Sequence, residues 1–193
     1  MPIDDLRSSM RKRRRVLSAE QRDDAAQQCV QRARALPAIR RAGCIAAYLA
    51  HRGEVSCEPI IEWALGRGVE VLLPVVAGRH MRFARYRPGD KLVRNRWGIL
   101  EPDWRPGRRV SPRRPSVVLT PLVAFDGGGN RLGQGGGYYD RTFAFRNAGT
   151  HWRRPLLLGL AYDFQQVGKL EAKPTDVPLD AVITAGQIHE FRR

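Results

Sequence analysis

A strand, a glycine-rich loop and a helix follow one another between residues 116 and 145, and this succession constrains the fold more than any other feature of the chain. Ser116–Phe125 is apolar and typical of a buried strand, and Tyr138–Phe145 carries helix-forming residues. Seven glycines lie between them, around Arg131, within residues 126–137. A buried strand that ends in such a loop is typical of an open α/β sheet, which binds its ligands at the carboxyl ends of its strands.

The glycine-rich loop is chemically suited to hold an anion. Glycines let backbone N–H groups approach a phosphate closely, and the helix that follows adds the positive end of its dipole. The spacing matches neither the P-loop, which needs Lys-Ser or Lys-Thr after its last glycine, nor the G-x-G-x-x-G dinucleotide motif. A flexible turn without a ligand is the alternative for any glycine-rich run. The buried strand that precedes this loop favours a phosphate site.

Alternating helix and strand patterns along the chain predict a three-layer α/β/α fold with a mostly parallel central sheet. Ser18 to Gln21 resembles a capping box, and an amphipathic helix follows up to Pro37. A strand, a helix and a second strand then predict a parallel βαβ unit at Cys44–Ala50, Glu58–Leu65 and Val69–Val76. The remaining predictions are an edge strand at Met81–Arg87, an irregular loop at Pro102–Pro115, and strands at Leu156–Ala161 and Ala181–Thr184. No repeat or linker divides the chain, so we expect a single domain over residues 1–193.

The positive charge is the outlier of the composition, since 34 Lys and Arg against 19 Asp and Glu give a net charge of +15. Such an excess favours anionic partners. The densest patches are Arg11–Arg15 and Arg105–Arg114, which leave a basic RNA-associated binding module as one interpretation. No RNA-recognition, zinc-finger or helix-turn-helix signature accompanies them, so we expect solvated faces and no nucleic acid partner.

The cysteine pattern and the hydropathy point to a cytoplasmic protein. Three cysteines without a C-x-x-C pair favour neither a disulfide framework nor a thiolate zinc site. No apolar run approaches the roughly 18 residues of a membrane span, and the amino-terminal residues have no apolar leader segment. We therefore expect no membrane partner and, for a chain of this size, a monomer.

The second half of the glycine-rich segment carries a family resemblance. Residues 131–141 read Arg-Leu-Gly-Gln-Gly-Gly-Gly-Tyr-Tyr-Asp-Arg, which resembles the R-L-G-x-G-x-G-Y-Y-D-R block of the 5-formyltetrahydrofolate cyclo-ligase (5,10-methenyltetrahydrofolate synthetase) family. Weaker blocks follow the family's order. They are Leu6-Arg7 with residues 17–22, Tyr48-Leu49 with Glu54, residues 97–102, and Asp176 with residues 179–184.

The resemblance implies an ATP-dependent reaction with Mg²⁺ that converts 5-formyltetrahydrofolate to 5,10-methenyltetrahydrofolate, ADP and phosphate. A formamide carbonyl is a poor electrophile, because the nitrogen lone pair is delocalised onto the oxygen. Phosphorylation turns that oxygen into a leaving group, and N10 then attacks the carbon. The protein mainly positions the reactants and neutralises charge. ATP and a polyglutamylated folate are both anions, which a basic surface would attract.

The resemblance also assigns roles to individual residues, each with a structural alternative. Arg131 and Tyr138 are the expected catalytic residues, and Asp140 and Asp176 the expected magnesium ligands. The expected ATP contacts are Arg7, Arg131, Leu132, Gly133, Gln134, Gly135, Gly136, Gly137, Tyr138 and Tyr139. The expected folate contacts are Leu49, Glu54, Trp97, Gln134, Gly135, Gly136, Gly137 and Tyr138. The alternatives are a surface salt bridge for Arg131, a helix cap for Asp140, a solvent-exposed loop position for Glu54 and a core anchor for Trp97.

Three departures from the family pattern qualify these assignments. A lysine that the family has two or three residues before Leu6 is missing, because Ile3, Asp4 and Asp5 fill that region. Thr175 stands where many members have a histidine before the aspartate. Gln134 and Gly136 are uncharged where many members carry Lys or Arg, so an additional cation must come from elsewhere. An enzyme that keeps the nucleotide loop but uses a different acceptor is therefore the second alternative.

Overall fold

The computed structural model describes residues 2–103, 109–147 and 154–191. Within these ranges the helices are α1 (Ile3–Arg15), α2 (Ala19–Ala35), α3 (Pro37–Arg40), α4 (Glu58–Gly66) and α5 (Tyr138–Phe143), with short 3-10 turns at Ala144–Arg146 and Asp163–Gln165. The strands are β1 (Cys44–Ala46), β2 (Glu70–Ala77), β3 (His80–Tyr86), β4 (Leu92–Arg94), β5 (Leu100–Pro102), β6 (Arg109–Val110), β7 (Val117–Pro121), β8 (Ala124–Phe125), β9 (Arg131–Leu132), β10 (Leu156–Leu160), β11 (Ala181–Ile183) and β12 (Ile188–Glu190).

A mostly parallel sheet forms the centre of the fold, as predicted. Among the described residues it has eight strands in the order β12-β11-β10-β7-β1-β2-β3-β6. The strands from β11 to β2 in this order run parallel, and β12, β3 and β6 join antiparallel at the two ends. The predicted βαβ unit is confirmed, since β1 and β2 pair in parallel with α4 between them in the chain. Two small hairpins, β4 with β5 and β8 with β9, lie outside this sheet.

Helices cover both faces of the sheet, which confirms the three-layer prediction. On one face α2 and α4 bury Cys29, Ala33 and Ile60 against strand residues such as Ile45 and Leu73. The other helical layer is thin and consists of α5 and the turn after it. Phe143 of α5 packs there against Phe83 of β3, with the ring centroids 6.1 Å apart.

The amphipathic helix predicted up to Pro37 begins with the predicted capping box. The Gln21 backbone N–H donates to Ser18 Oγ at 3.1 Å, and the Ser18 N–H donates to Gln21 Oε1 at 2.9 Å. The helix ends at Ala35, because Pro37 cannot continue the hydrogen-bond ladder.

The structure corrects three of the strand and loop predictions. The strand expected at Met81–Arg87 is not an edge, because β3 pairs with β2 on one side and with β6 on the other. The loop predicted at Pro102–Pro115 contains strand β6, and residues 104–108 of it lie outside the described residues. The strand expected at Cys44–Ala50 is shorter and ends at Ala46.

The amino-terminal segment forms a helix, α1, that packs on the β8–β9 hairpin. Met10 is buried in a cluster with Val123, Ala124 and Leu132. This contact places α1 beside the glycine-rich loop. No helix in the described part of the chain is both long and apolar enough to cross a membrane.

Candidate active site

The glycine-rich segment divides into two parts with different tasks. Residues 126–130 form the turn of the β8–β9 hairpin. Asp126 organises this turn, since its Oδ1 accepts hydrogen bonds from the N–H groups of Gly128 at 2.9 Å and Asn130 at 3.0 Å. Gly129 has φ +80° and packs against Phe191. The first three glycines therefore shape a structural turn, and only residues 133–137, here called the glycine loop, lead from β9 into α5.

A cavity of about 640 Å³ lies beside the glycine loop. Gly133, Gly135 and Gly137 line it, together with residues from α1, β9 and α5. The segment 170–178 also lines it. A Cβ placed on Gly133 would meet no atom within 4 Å, so the backbone of the loop is open to a ligand there. This volume is within the usual range of roughly 300–1,000 Å³ for ligand pockets.

Arg131 and Asp140 form an ion pair in the wall of this cavity. Arg131 Nη2 donates to Asp140 Oδ1 at 2.7 Å, and the Val177 N–H donates to the same oxygen at 3.1 Å. The Arg131 side chain is 4% exposed and that of Asp140 22% exposed. The alternative of a surface salt bridge for Arg131 is therefore wrong, because the guanidinium is buried. Asp140 fixes one edge of this guanidinium, and both hydrogen bonds that Asp140 accepts from described residues end on Oδ1.

Asp176 also lines this cavity. Its Oδ2 accepts a hydrogen bond from the Lys173 N–H at 2.9 Å, and its backbone carbonyl accepts one from Asn147 Nδ2 at 3.0 Å. No group of three or more His, Cys, Asp or Glu side chains in the described ranges is placed to hold a metal ion. Asp140 and Asp176 both line the cavity, and magnesium in proteins usually takes one or two carboxylates and completes its coordination with phosphate and water.

Helix α1 contributes arginines to the glycine loop. Arg7 Nε donates to the Gly133 carbonyl at 3.1 Å, and Arg7 Nη1 pairs with Asp4 at 2.7 Å. Ile3 lines the cavity, in the region where the resemblance leads us to expect a lysine. Arg7 therefore lies where an ATP contact was expected, although its Nε is already bound to the loop backbone.

Glu54 contacts both α1, through Arg14, and the glycine loop, through Gln134. Its Oε2 accepts a hydrogen bond from the His51 N–H at 3.1 Å, and its Oε1 accepts one from Gln134 Nε2 at 3.2 Å. Arg14 Nη1 lies 4.0 Å from Oε1, and the Glu54 side chain is only 9% exposed. Burial raises the pKa of Glu54, while the Arg14 charge acts in the opposite direction. The alternative of a solvent-exposed loop glutamate is wrong.

Tyr138 and Trp97 meet at the end of the glycine loop. Their rings pack edge to face, with centroids 5.5 Å apart. Trp97 is 38% exposed, so it is not an anchor of the core. The Tyr138 hydroxyl lies 3.4 Å from the Gly78 carbonyl oxygen and 3.4 Å from Arg96 Nη2. The loop residues expected to contact folate therefore reach Glu54 through Gln134 and Trp97 through Tyr138.

The other expected site residues take supporting positions. Leu49 is partly buried and packs against the core. Leu132 is buried with Met10, and Tyr139 stacks on Phe143 with ring centroids 6.2 Å apart. These contacts make Leu132 and Tyr139 the residues that fix the two ends of the glycine loop on the fold.

Three arginines lie at the site that the sequence interpretation did not assign to it. Arg141 clamps the glycine loop, because it donates to the Gly136 carbonyl at 2.7 Å and to the Arg79 carbonyl at 2.8 Å. Arg11 binds Gln134, and Arg14 faces Glu54. The signal for the last two was the recurrence of arginine at positions 7, 11 and 14, which places them on one face of a helix.

Known proteins resemble the chain over nearly its whole length. The sequence model of the 5-formyltetrahydrofolate cyclo-ligase family matches residues 4–185. The 5-formyltetrahydrofolate cyclo-ligase of Escherichia coli (strain K12) is 38% identical over 185 residues, which cover 94% of this chain and 100% of the relative. The protein of the same name from Haemophilus influenzae is 37% identical over 179 residues, covering 90% of this chain and 92% of the relative.

Solved structures agree with the sequence comparison. The NMR structure of Aquifex aeolicus 5,10-methenyltetrahydrofolate synthetase superposes with a TM-score of 0.83 at 31% identity, covering 100% of this chain and 94% of that one. The 5,10-methenyltetrahydrofolate synthetase from Mycoplasma pneumoniae has a TM-score of 0.75 at 26% identity, with 96% and 99% of the two chains covered. The chain belongs to the 5-formyltetrahydrofolate cyclo-ligase family.

Proposed function

We propose that this chain converts 5-formyltetrahydrofolate to 5,10-methenyltetrahydrofolate at the expense of ATP, with release of ADP and phosphate. The observation that carries the proposal is the position of the glycine loop. It borders the cavity that contains the Arg131–Asp140 pair, and through Gln134 it also contacts the buried carboxylate of Glu54. One loop therefore touches a site suited to phosphates and a site suited to a hydrogen-bond donor such as the pterin edge.

The cavity supplies the groups that a triphosphate needs. Four of the five residues at 133–137 are glycines, so the backbone N–H groups there are accessible except beside Gln134. The cavity is also lined by the cations Arg7, Arg131, Arg141 and Lys173. Arg131 is buried, so its charge acts in a low-dielectric environment where it stabilises negative charge more strongly than at the surface. Asp140 uses one edge of the guanidinium and leaves the remaining N–H groups for phosphate oxygens. We assign Arg131 the stabilisation of charge on the transferred phosphoryl group.

Asp140 and Asp176 are the proposed magnesium ligands. The hydrogen bonds of Asp140 from described residues end on Oδ1, so Oδ2 keeps its lone pairs for a cation, and Asp176 lines the same cavity. A magnesium ion held there would supply positive charge to neutralise the phosphates. Arg131 would hold Asp140 in place through the hydrogen bond from Nη2 to Oδ1.

The folate side of the site is proposed from Glu54, Trp97 and Tyr138. A buried carboxylate that must accept hydrogen bonds is well matched to the donor-rich pyrimidine edge of a pterin. The exposed ring of Trp97 and the ring of Tyr138 offer apolar surface next to the loop. Glu54 would orient the folate so that its formyl oxygen faces the phosphate cavity, where the phosphoryl group is received before N10 attacks.

An absorbance time course tests this proposal. Purified protein with 5-formyltetrahydrofolate and Mg-ATP should form the methenyl chromophore, and omission of ATP or magnesium should prevent it. Absence of the chromophore in the complete mixture, with ATP binding intact, would contradict the proposal and favour an enzyme with another acceptor. Tight, strongly salt-dependent RNA binding without turnover would instead favour the RNA-associated module.

A Glu54→Gln variant tests the assignment of the two ligand sites. The change removes the charge but keeps the shape, so KM for 5-formyltetrahydrofolate should rise by roughly tenfold or more, with a much smaller effect on KM for ATP. Glu62→Gln is the matched control, because Glu62 is exposed on α4. An equal loss of affinity for both substrates would contradict the assigned pocket. The cytoplasmic location and the monomeric state expected from the sequence stay predictions.

A further inference from the structure

Helix α1 directs three arginines from one face toward the glycine loop and Glu54. Arg7, Arg11 and Arg14 are four and three residues apart, the spacing of neighbours on a helix surface. Arg7 binds the Gly133 carbonyl, Arg11 binds Gln134, and Arg14 donates to the Leu122 carbonyl at 3.3 Å beside Glu54. The basic segment at residues 11–15 is therefore only partly a solvated face.

A continuous chain of hydrogen bonds connects Arg11 to Glu54. Arg11 Nε donates to Gln134 Oε1 at 3.0 Å, and Arg11 Nη2 lies 3.4 Å from the Gln134 backbone oxygen. Gln134 Nε2 in turn donates to Glu54 Oε1 at 3.2 Å. The carboxylate therefore depends on an amide whose other end is held by α1.

The chemistry of the three groups allows only one orientation of the Gln134 amide. A guanidinium can only donate and an ionised carboxylate can only accept, so the amide oxygen must face Arg11 and the NH₂ group must face Glu54. Donation from a charged group polarises the amide and strengthens the bond that its NH₂ group makes. Without Arg11 the Gln134 side chain, which is at an exposed position, would be free to rotate away from Glu54.

We propose that Arg11 is a positioning residue of the folate site, which holds Gln134 and through it fixes the Glu54 carboxylate in the orientation that receives the pterin. The inference rests on the proposed function of Glu54. The His51 N–H already binds Oε2, so the bond from Gln134 to Oε1 sets the remaining rotational freedom of the carboxylate. Arg11 acts without touching the substrate.

The neighbouring Lys12 provides a charge-matched control. It is exposed on the same helix, and its side chain makes no hydrogen bond or ion pair among the residues that the structure describes. Arg11→Gln and Lys12→Gln each remove one positive charge from α1. A general effect of charge on anionic substrates would appear in both variants, whereas positioning of Glu54 would appear in Arg11→Gln alone.

The test is a double-mutant cycle between Arg11→Gln and Gln134→Leu, read as KM and kcat for each substrate. Arg11→Gln should raise KM for 5-formyltetrahydrofolate roughly three- to tenfold, the usual effect of one lost hydrogen bond, and leave kcat and KM for ATP within about twofold. Gln134→Leu should raise the same KM, and the double variant should be no worse than Gln134→Leu alone, because Arg11 then has no amide to hold. Arg11→Lys should recover part of the affinity, since an ammonium can still donate to Gln134 Oε1.

The outcomes separate this inference from the proposed function. Losses that add in the double variant, or an equal loss in Lys12→Gln, would overturn the role of Arg11 while leaving the reaction established. A wild-type protein that forms no methenyl product would overturn the proposed function itself. Thermal unfolding of each variant confirms that it folds, and if Arg11→Gln does not fold, the comparison of Arg11→Lys with Lys12→Gln decides.

Discussion

Replacement of Asp140 by asparagine should reduce both the stability and the activity of this protein, and the two losses have different origins. Asp140 Oδ1 accepts hydrogen bonds from Arg131 Nη2 at 2.7 Å and from the Val177 N–H at 3.1 Å. Asparagine has nearly the same shape and keeps one oxygen that can accept these bonds. It lacks the charge that compensates the buried guanidinium of Arg131.

The exposure of the two side chains sets the size of the stability loss. Breaking a fully buried ion pair by removing one partner costs about 3–5 kcal/mol. Arg131 is 4% exposed, but Asp140 is 22% exposed and the asparagine oxygen remains, so we expect a smaller loss of about 2 kcal/mol. For a chain of 193 residues, this corresponds to a decrease in Tm of about 4–8 °C.

The activity loss should exceed what the stability loss explains. If Asp140 also holds magnesium, its removal weakens charge neutralisation worth several kcal/mol, which corresponds to a roughly 10²- to 10³-fold lower kcat/KM. The assay is the methenyl absorbance time course across a magnesium titration, at a temperature well below the Tm of each variant. Mg-ATP should raise the Tm of the wild type and have little effect on that of Asp140→Asn.

Asp180→Asn is the matched control for this prediction. Arg146 Nη2 donates to Asp180 Oδ1 at 2.8 Å, and the two side chains are 2% and 20% exposed, close to the values for the Arg131–Asp140 pair. Neither residue lines the cavity. Asp180→Asn should lower Tm at least as much, because both of its oxygens accept hydrogen bonds, and it should keep activity within a few-fold of the wild type. Wild-type kcat/KM in Asp140→Asn, or an equal activity loss in Asp180→Asn, would refute the assignment of Asp140 to the metal.

Two further predictions follow from the pKa of Glu54 and from the hairpin turn. Because burial raises the pKa of Glu54 and the proposed pterin contact needs both carboxylate oxygens as acceptors, kcat/KM for folate should fall as the pH is lowered, beginning above the ordinary glutamate value of about 4.3. Arg14→Gln removes a charge that lowers this pKa, so the acid limb should move to higher pH, and an unmoved limb would contradict the pairing. Gly129→Ala should destabilise the fold by about 1–3 kcal/mol, because φ is +80° and the new Cβ would lie 2.9 Å from the Phe191 ring. Gly127→Ala is the control, because its new Cβ would meet no atom within 4 Å, and it should cost well under 1 kcal/mol. Denaturant titrations of both variants measure the free energies of unfolding, and equal losses of stability would contradict the steric argument.

The local signals in the sequence predicted most of the sheet and the helices on it. Each of these signals depends only on residues that are close together in the chain. They are the capping box at Ser18, Pro59 in the first turn of α4, and the apolar runs of β2, β7, β10 and β11. Helix α1 was missed as an element because its buried positions are Met10 and Arg14, and an arginine in a buried position leaves no apolar stripe to recognise. Its role depends on a tertiary contact that periodicity does not detect.

The environment of each site residue was less predictable than its identity. The resemblance assigned Arg131, Asp140 and Glu54 to the site, but the ion pair between the first two depends on how α5 folds back beside β9. The burial of Glu54 depends on Arg14 of α1 and on Gln134 of the glycine loop, which are 40 and 80 residues away in the sequence. Charge and exposure at such positions follow from the tertiary structure, and these determine the pKa values and the stability effects predicted above.

The geometry of the glycine loop explains why its composition is so restricted. A Cβ at Gly136 would lie 2.9 Å from the Tyr138 ring, so a larger residue would displace that ring from Trp97. Gly137 has φ +62° at the start of α5, and a Cβ there would lie 2.7 Å from the Arg141 guanidinium. Only Gln134 among residues 133–137 has a side chain, and it points to Glu54 on the folate side. Gly136 and Gly137 exclude a side chain on steric grounds, whereas Gly133 is open and leaves its backbone accessible from the cavity. The connection from the loop to Glu54 therefore depends on the one side chain of Gln134, which is why its support by Arg11 is open to a direct test.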